Sequence, residues 1–321
     1  MKKAGNRTLG ILFILGAALG FAGMNLFVNL AGELPTMQKV FFRNLFAAII
    51  VFFVLLFSKE KFKIHSKKCV PWLLMRSIFG FIGVILNFYA IDKIGSISDA
   101  SILNKLSPFF AIVFSIFLLK EKPKPLELIL VLIAFGGAMC VVQPSFDMRV
   151  IPALSGFLSG ACAGFAYTCV RILGMKGERG QMTVFFFSVF STLVALPFFI
   201  MWYTPMTGLQ FLYLVLAGVS ATVGQFCITA AYRHAPAKEI AVFDYAQVPF
   251  AAILGYFILS QIPDTWSFVG YVIIIGAAII KWALQMVEAK KLNTVQQATA
   301  QTDENTPDEQ ENLQNDTTES G

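Results

Sequence analysis

The chain has 321 residues, of which 57% are hydrophobic and only 14% charged, with a formal net charge of +6. A water-soluble domain of this length needs far more charge to cover its surface, so the composition excludes an ordinary soluble protein. Apolar runs of about 20 residues recur along the chain, which is the length an α-helix needs to cross a bilayer core of roughly 30 Å. The composition predicts an all-α polytopic membrane protein.

Ten membrane-spanning helices are predicted along the chain. They cover residues 8–30, 37–57, 70–91, 97–119, 125–143, 152–172, 182–203, 208–232, 238–260 and 266–287. Prolines mark most of the breaks between these spans. The first apolar run follows a basic head but is too long for a signal peptide and has no small-residue cleavage site, so we expect a retained helix.

The distribution of basic residues predicts the orientation of the chain. Eighteen lysines and arginines fall on one side of the predicted helices, whereas Lys93 and Arg149, with Lys39 at an edge, fall on the other. Cytoplasmic loops carry the excess of Lys and Arg, so both termini are expected in the cytoplasm and the protein in the cytoplasmic (inner) membrane of a bacterium. Because the basic residues lie in short loops between spans, we expect no nucleic-acid partner.

Two arginines lie inside the second and third predicted spans. A charge at bilayer depth costs about 2.5–3.5 kcal/mol, so each needs a partner, an exit or a function. Arg76 shares one helix face with Gly80, Gly83 and Asn87, and these glycines either admit a neighbouring helix or leave room for a ligand. Arg76 and Arg43 are each candidates for a binding site or for snorkelling to the headgroups.

The fourth span contains Lys105, about 12 Å from the span's start. Asn104 lies beside it, and Ser101 and Pro108 share its helix face. Pro108 removes a backbone hydrogen bond, and such loosened backbone is tolerated in a membrane only against protein or a wet cavity. This pattern indicates half of a binding site.

The ninth span carries a similar pattern. Asp244, Tyr245 and Gln247 precede Pro249 in "FDYAQVPF". We expect this patch and Lys105 to approach the membrane midplane from opposite sides. A buried ion pair between Lys105 and Asp244 that locks the two halves is the alternative, and the two interpretations are compatible.

Polar residues on the sixth and eighth spans are further cavity-lining candidates. Tyr167 follows Gly160 and Gly164 on one face of the sixth span. The eighth span carries a polar stripe of Thr222, Gln225, Thr229 and Tyr232. The glycine stripes themselves are interpreted as helix-packing surfaces.

The sequence repeats itself after five spans. At an offset of 141, for example, Ala100 and Pro108 fall on Ala241 and Pro249. Because five is odd, the second copy must be inverted in the membrane relative to the first. Inverted repeats are typical of secondary transporters, which hold the substrate near the midplane where the repeats meet.

Two segments carry a family resemblance: "FYAIDKIGSISDASILNKLSPFFAIVFSIFLLKEKP" and "GQFCITAAYRHAPAKEIAVFDYAQVPFAAILGYFIL". They resemble the two EamA repeats of the drug/metabolite transporter superfamily over roughly residues 8–287. Membership implies a ten-helix transporter of small metabolites, with a central cavity lined by helices 1–4 and 6–9. The chain departs from the family pattern at Gln261, where a Glu like Glu121 is usual.

These features predict three regions: repeats at 8–143 and 152–287, and a disordered, acidic cytoplasmic tail at 293–321. The tail is polar and lacks aromatic residues. The five cysteines lie mostly inside spans without metal-ligand spacing and are expected to be reduced and structural.

The predicted function is secondary active transport of a small polar metabolite, anionic or zwitterionic and amino-acid-like, by alternating access. The substrate-binding candidates are Arg76, Asn87, Asn104, Lys105, Tyr167, Gln225, Tyr232, Asp244, Tyr245 and Gln247. Asp244 is also the candidate for coupling to protons. We expect no catalytic residues, no metal and no cofactor; the partners are the substrate and the lipid bilayer, and a homodimer is left open. The alternatives are a non-transporting membrane scaffold or sensor and an intramembrane enzyme.

Overall fold

The computed structural model describes residues 2–94, 103–142, 150–260 and 265–304. Within these ranges the secondary structure is entirely helical, without β-strands. Among the residues described, eight helical segments are long and apolar enough to span a membrane, counting Ala237–Leu259 as one, and two shorter apolar helices cover residues 107–119 and 125–141. The prediction of an all-α polytopic membrane protein is confirmed.

The main helices follow the predicted spans closely. They are α1 (Lys2–Leu30), α2 (Thr36–Leu56), α3 (Val70–Ile94), α4 (Ser107–Leu119), α5 (Pro125–Val142), α6 (Val150–Met175), α7 (Gly180–Met201), α8 (Gly208–His234), α9 (Gln247–Leu259) and α10 (Thr265–Glu304). A short 3₁₀ segment, Lys67–Cys69, precedes α3. The start of the predicted fourth span, residues 97–102, and Gln261 lie outside the described residues.

Two predicted spans are broken rather than continuous. Residues 105 and 106 form a turn, and α4 begins after it with Pro108 in its first turn. A one-turn helix, Ala237–Ile240, and a 3₁₀ segment, Ala241–Ala246, precede α9, which has Pro249 in its first turn. Proline lacks an N–H group and fits the first turn of a helix but not its interior, so each helix restarts at its proline.

The packing of the helices follows the sequence repeat. Helix α1 packs mainly against α8, and its counterpart α6 packs mainly against α3. Similarly, α9 packs against α1 as α4 packs against α6, and α2 packs against α7. Exchanging α1–α5 with α6–α10 therefore maps each of these contacts onto another of them or onto itself.

Glycines allow the closest helix contacts. A Cβ atom at Gly20 in α1 would lie 2.7 Å from the backbone nitrogen of Gly224 in α8. A Cβ atom at Gly164 in α6 would lie 2.7 Å from the backbone nitrogen of Ala111 in α4. These stripes are packing surfaces between the two repeats, as the sequence predicted.

The chain divides into a compact unit, residues 1–278, and a C-terminal unit, residues 279–321. The helical part of the second unit is the end of α10, which extends to Glu304. The helix thus continues twelve residues into the segment predicted to be a disordered tail. Alanine and glutamine supply five of these twelve residues and favour a helix. Residues 305–321 lie outside the described residues.

Candidate substrate-binding site

The two broken helices meet at the interface between the repeats. The Lys105 ammonium group, in the turn before α4, donates a hydrogen bond to Oε1 of Gln247, the first residue of α9. In return, the Tyr245 hydroxyl group donates to the Lys105 carbonyl oxygen at 2.8 Å. Backbone at a helix break offers a carbonyl group to partners outside the helix, which explains why this contact forms here.

Asp244 lies beside this contact, buried among tyrosines. Only 5% of its surface is exposed. Lys105, Tyr167, Tyr232 and Tyr245 are all within electrostatic range of its carboxylate. The Tyr167 and Tyr232 rings stack with centroids 5.0 Å apart and planes 19° apart.

The charges of Lys105 and Asp244 are neighbours without a direct salt bridge in the described part of the chain. The Lys105 ammonium group instead donates its hydrogen bond to Gln247. The sequence correctly predicted that these two residues lie together. The alternative interpretation was an ion pair between Lys105 and Asp244 that locks the two halves. The structure shows no direct contact of this kind between the two described side chains.

A second group of polar residues surrounds Arg76 in α3. Its Nη2 atom donates to Oε1 of Gln225 in α8 at 2.9 Å, and its guanidinium group lies 4.0 Å from the ring centroid of Phe187 in α7. Arg43 in α2 and Tyr167 are both within electrostatic range of Arg76. Tyr167 is thus within electrostatic range of both arginines and of Asp244.

Eight of the ten predicted site residues belong to this connected set. They are Arg76, Lys105, Tyr167, Gln225, Tyr232, Asp244, Tyr245 and Gln247. Asn104 instead donates to the hydroxyl group of Ser159 in α6 at 3.0 Å, which makes it part of the helix packing. The Oδ1 atom of Asn87 is buried without a hydrogen-bond partner among the described residues.

Arg43 lies within electrostatic range of Arg76 and Tyr167 but was not among the predicted binding residues. From its position in the second span, the sequence left a site role and snorkelling to the headgroups open. In the structure only 6% of its surface is exposed. Its proximity to Arg76 depends on how α2 and α3 rotate against each other, which helix periodicity does not specify.

Ion pairs join the two repeats at the end of the molecule where the N-terminus lies. We call the pairs Arg7–Glu239 (3.0 Å), Arg171–Glu121 (3.6 Å) and Arg179–Glu60 (3.5 Å) the ionic layer. At the opposite end, Gln38 and Thr204 exchange two neutral hydrogen bonds of 2.9 Å. Among the described residues, ion pairs thus join the repeats at one end of their interface and neutral hydrogen bonds join them at the other.

Comparison with known proteins agrees with this architecture. The model of the EamA-like transporter family matches residues 8–143 and again residues 150–283. A solved structure titled "Crystal structure of protein" has the same fold, with a TM-score of 0.72 at 14% identity, over 86% of this chain and 97% of that chain.

Named relatives are transporters. The pseudopaline exporter CntI of Pseudomonas aeruginosa is 33% identical over 275 residues, which cover 84% of this chain and 94% of the exporter. Human solute carrier family 35 member G1 is 27% identical over 300 residues, which cover 88% of this chain and 82% of the carrier. The resemblance to EamA proteins is confirmed: this chain is a multi-pass membrane protein of the EamA-like transporter family, in the drug/metabolite transporter superfamily.

Proposed function

We propose that the protein is a secondary active transporter that moves a small polar metabolite, anionic or zwitterionic and amino-acid-like, by alternating access. The observation that carries this proposal is the convergence of buried charged and polar side chains from both repeats around Tyr167 and Asp244. In transporters built from inverted repeats, the substrate binds between the repeats at broken helices. The transporter names of its relatives support the same class of function.

The proposed roles follow from the chemistry of each side chain. Arg76 and Lys105 contact the anionic group of the substrate, because each is a cation of the first repeat that hydrogen-bonds a glutamine of the second repeat. The remaining polar residues orient the substrate through hydrogen bonds: Tyr167, Gln225, Tyr232, Tyr245, Gln247 and, through its unpartnered Oδ1 atom, Asn87. Asn104 holds the helix break next to Lys105 in place through Ser159.

Asp244 is proposed to bind either a proton or the cationic group of the substrate. It is the buried carboxylate at the centre of the site, and Lys105 offsets its charge. We expect uptake by the wild-type protein to depend on pH and this dependence to disappear in Asp244→Asn. Unchanged pH dependence in the variant would remove Asp244 from the coupling role.

The ionic layer is proposed to be the cytoplasmic gate. The excess of Lys and Arg at this end supports a cytoplasmic location in a bacterium. Each of its three pairs joins a residue of one repeat to a residue of the other, so opening this end requires all three to separate. While the layer is closed, it separates the site from this side of the membrane.

The experiment that tests the function begins with comparative metabolomics of cells with and without the gene. The leading compound is then offered to the purified full-length protein in liposomes. We expect saturable flux that falls in Lys105→Gln but not in Lys39→Gln, which removes a half-buried cation outside the site. Absence of flux for every compound in a broad pool would contradict the proposal and favour a scaffold or sensor.

A further inference from the structure

Two neighbouring arginines are buried between the repeats without a counter-ion among the residues that the structure describes. Arg43 and Arg76 expose 6% and 2% of their surfaces. Both lie against one face of α8: the Cβ position of Gly218 is 3.4 Å from the Arg43 carbonyl oxygen, and Arg76 bonds Gln225 two turns further along. The two guanidinium groups are within electrostatic range of each other. Neither forms a salt bridge in the described part of the chain. Lys105, by comparison, has Asp244 in range.

The arginines do not reach the headgroups. Arg43 lies about 10 Å along α2 and Arg76 about 9 Å along α3, and consecutive helices enter the membrane from opposite sides. Their proximity therefore places both guanidinium groups at middle depth. Arg76 is held there by Gln225 and Phe187, and its Nε atom is buried without a hydrogen-bond partner.

Such an arrangement is unfavourable without a ligand. Two like charges repel each other more strongly away from water, and a buried charge needs compensation by an opposite one. A guanidinium group offers several N–H donors in a planar fork that matches the oxygens of a carboxylate or phosphate group. The guanidinium N–H groups that bond no described residue are therefore available to the oxygens of such an anion.

We propose that Arg43 and Arg76 form an oxyanion-binding subsite, which receives a carboxylate or phosphate group of the transported molecule. This inference rests on the proposed function and extends it, since it adds Arg43 and makes the arginine pair the principal anion contact. The Tyr167 ring, stacked on Tyr232, lies next to the subsite and joins it to Asp244. A substrate with an oxyanion at one end and a cation at the other fits the two charged ends of this site.

The test measures thermal unfolding of the purified full-length protein in detergent at constant ionic strength. The probes are succinate, inorganic phosphate and, as an uncharged analogue, succinamide. The variants are Arg43→Gln, Arg76→Lys and the matched control Lys39→Gln, which removes a cation one helical turn from Arg43. Succinate and phosphate separate the two oxyanion classes.

We expect at least one of the two anions, but not succinamide, to raise the unfolding temperature of the wild-type protein and of Lys39→Gln. Arg43→Gln should lose this shift while its unliganded unfolding temperature stays unchanged or rises, because a repulsion is removed. Arg76→Lys keeps the charge but loses the fork, and its affinity should fall about tenfold or more.

The result that overturns the subsite is a full anion-dependent shift in Arg43→Gln, or no shift of the wild-type protein with either anion. A clearly lower unliganded unfolding temperature of Arg43→Gln would also contradict it, since it would show a structural role. Failure of the subsite is distinguishable from failure of the proposed function. Flux of a metabolite that Arg43→Gln leaves unchanged removes the subsite only, and an anion shift without any flux removes transport only.

Discussion

At the scale of single residues, Gly80 shows why a small side chain is needed beside the site. A Cβ atom at this position would collide with Nη1 of Arg76 and lie 3.0 Å from the Phe187 ring. The sequence left this glycine face open between helix packing and space for a ligand, and the structure has protein groups beside both glycines. Gly80 makes room for the Arg76 guanidinium group, whereas Gly83 packs against Ser159 and Cys162 in α6.

Gly80→Ala should therefore displace the Arg76 guanidinium group and weaken substrate binding. The added methyl group costs about 1–3 kcal/mol by overpacking, partly offset by up to about 1 kcal/mol of helix propensity. The KM for uptake should rise and the unfolding temperature should fall slightly. Gly136→Ala is the matched control, because nothing lies within 4 Å of its Cβ position, and it should be neutral or stabilising. Equal behaviour of the two variants would show that Arg76 tolerates the displacement.

Glu121, at the loop end of α4, gives a pH prediction. Burial raises the pKa of its carboxyl group, although Arg171 and Lys238 oppose the shift. The pKa of this carboxyl group is then higher in the folded protein than in the unfolded one. Ionised Glu121 therefore destabilises the fold at pH values above the folded-state pKa. This destabilisation disappears as the pH falls from the folded-state pKa to the unfolded-state pKa. The unfolding temperature of the wild-type protein should rise relative to that of Glu121→Gln on acidification. A difference that stays constant with pH would contradict this assignment, and Glu33→Gln, an exposed carboxylate, is the control.

Residue-level prediction succeeded where charge and depth were informative. Lys105 and Asp244 are costly at bilayer depth, so the sequence alone indicated that they lie together. Asn104 was predicted as a site residue beside Lys105, and in the structure it hydrogen-bonds Ser159, which is 55 positions away. Which polar groups face a partner helix depends on helix rotation, and no spacing within one helix reveals it.

At the scale of elements, the breaks before α4 and α9 create the site. The sequence predicted continuous spans at 97–119 and 238–260, although it recognised the loosened backbone at Pro108. A proline indicates that a helix is weakened, but the location of the break follows from tertiary contacts. The hydrogen bond from Tyr245 to the Lys105 carbonyl oxygen supplies such a contact.

Tyr245→Phe should weaken the connection between the two breaks. The variant leaves the Lys105 carbonyl oxygen without its donor, so we expect a destabilisation of about 1–3 kcal/mol and slower transport. Thermal unfolding and uptake measure the two effects. Tyr256→Phe in α9 is the control, since 52% of Tyr256 is exposed, and it should change neither quantity. Equal effects of both variants would show that the hydroxyl group of Tyr245 contributes nothing to the site.

At the scale of the whole molecule, the repeat was the most predictable feature. Matching positions at an offset of 141 already indicated two copies of five helices, and the helix contacts follow this relation. The difference between the two ends was less predictable. Charge counts showed that one side is basic, but the pairing of Arg7, Arg171 and Arg179 with specific carboxylates depends on loops folded against each other.

The central claim is that the two repeats move against each other around the site between them. Distances between two spin labels, measured by double electron–electron resonance, test it most directly. The labels are attached to cysteines introduced into a variant that lacks the native cysteines. One label pair, at exposed Lys61 and Lys176, spans the ionic layer, and another, at Glu33 and Pro205, spans the opposite end. On addition of the transported compound, we predict that the mean distance between the labels increases at one end and decreases at the other. Unchanged distributions at both ends during measurable flux would contradict the account.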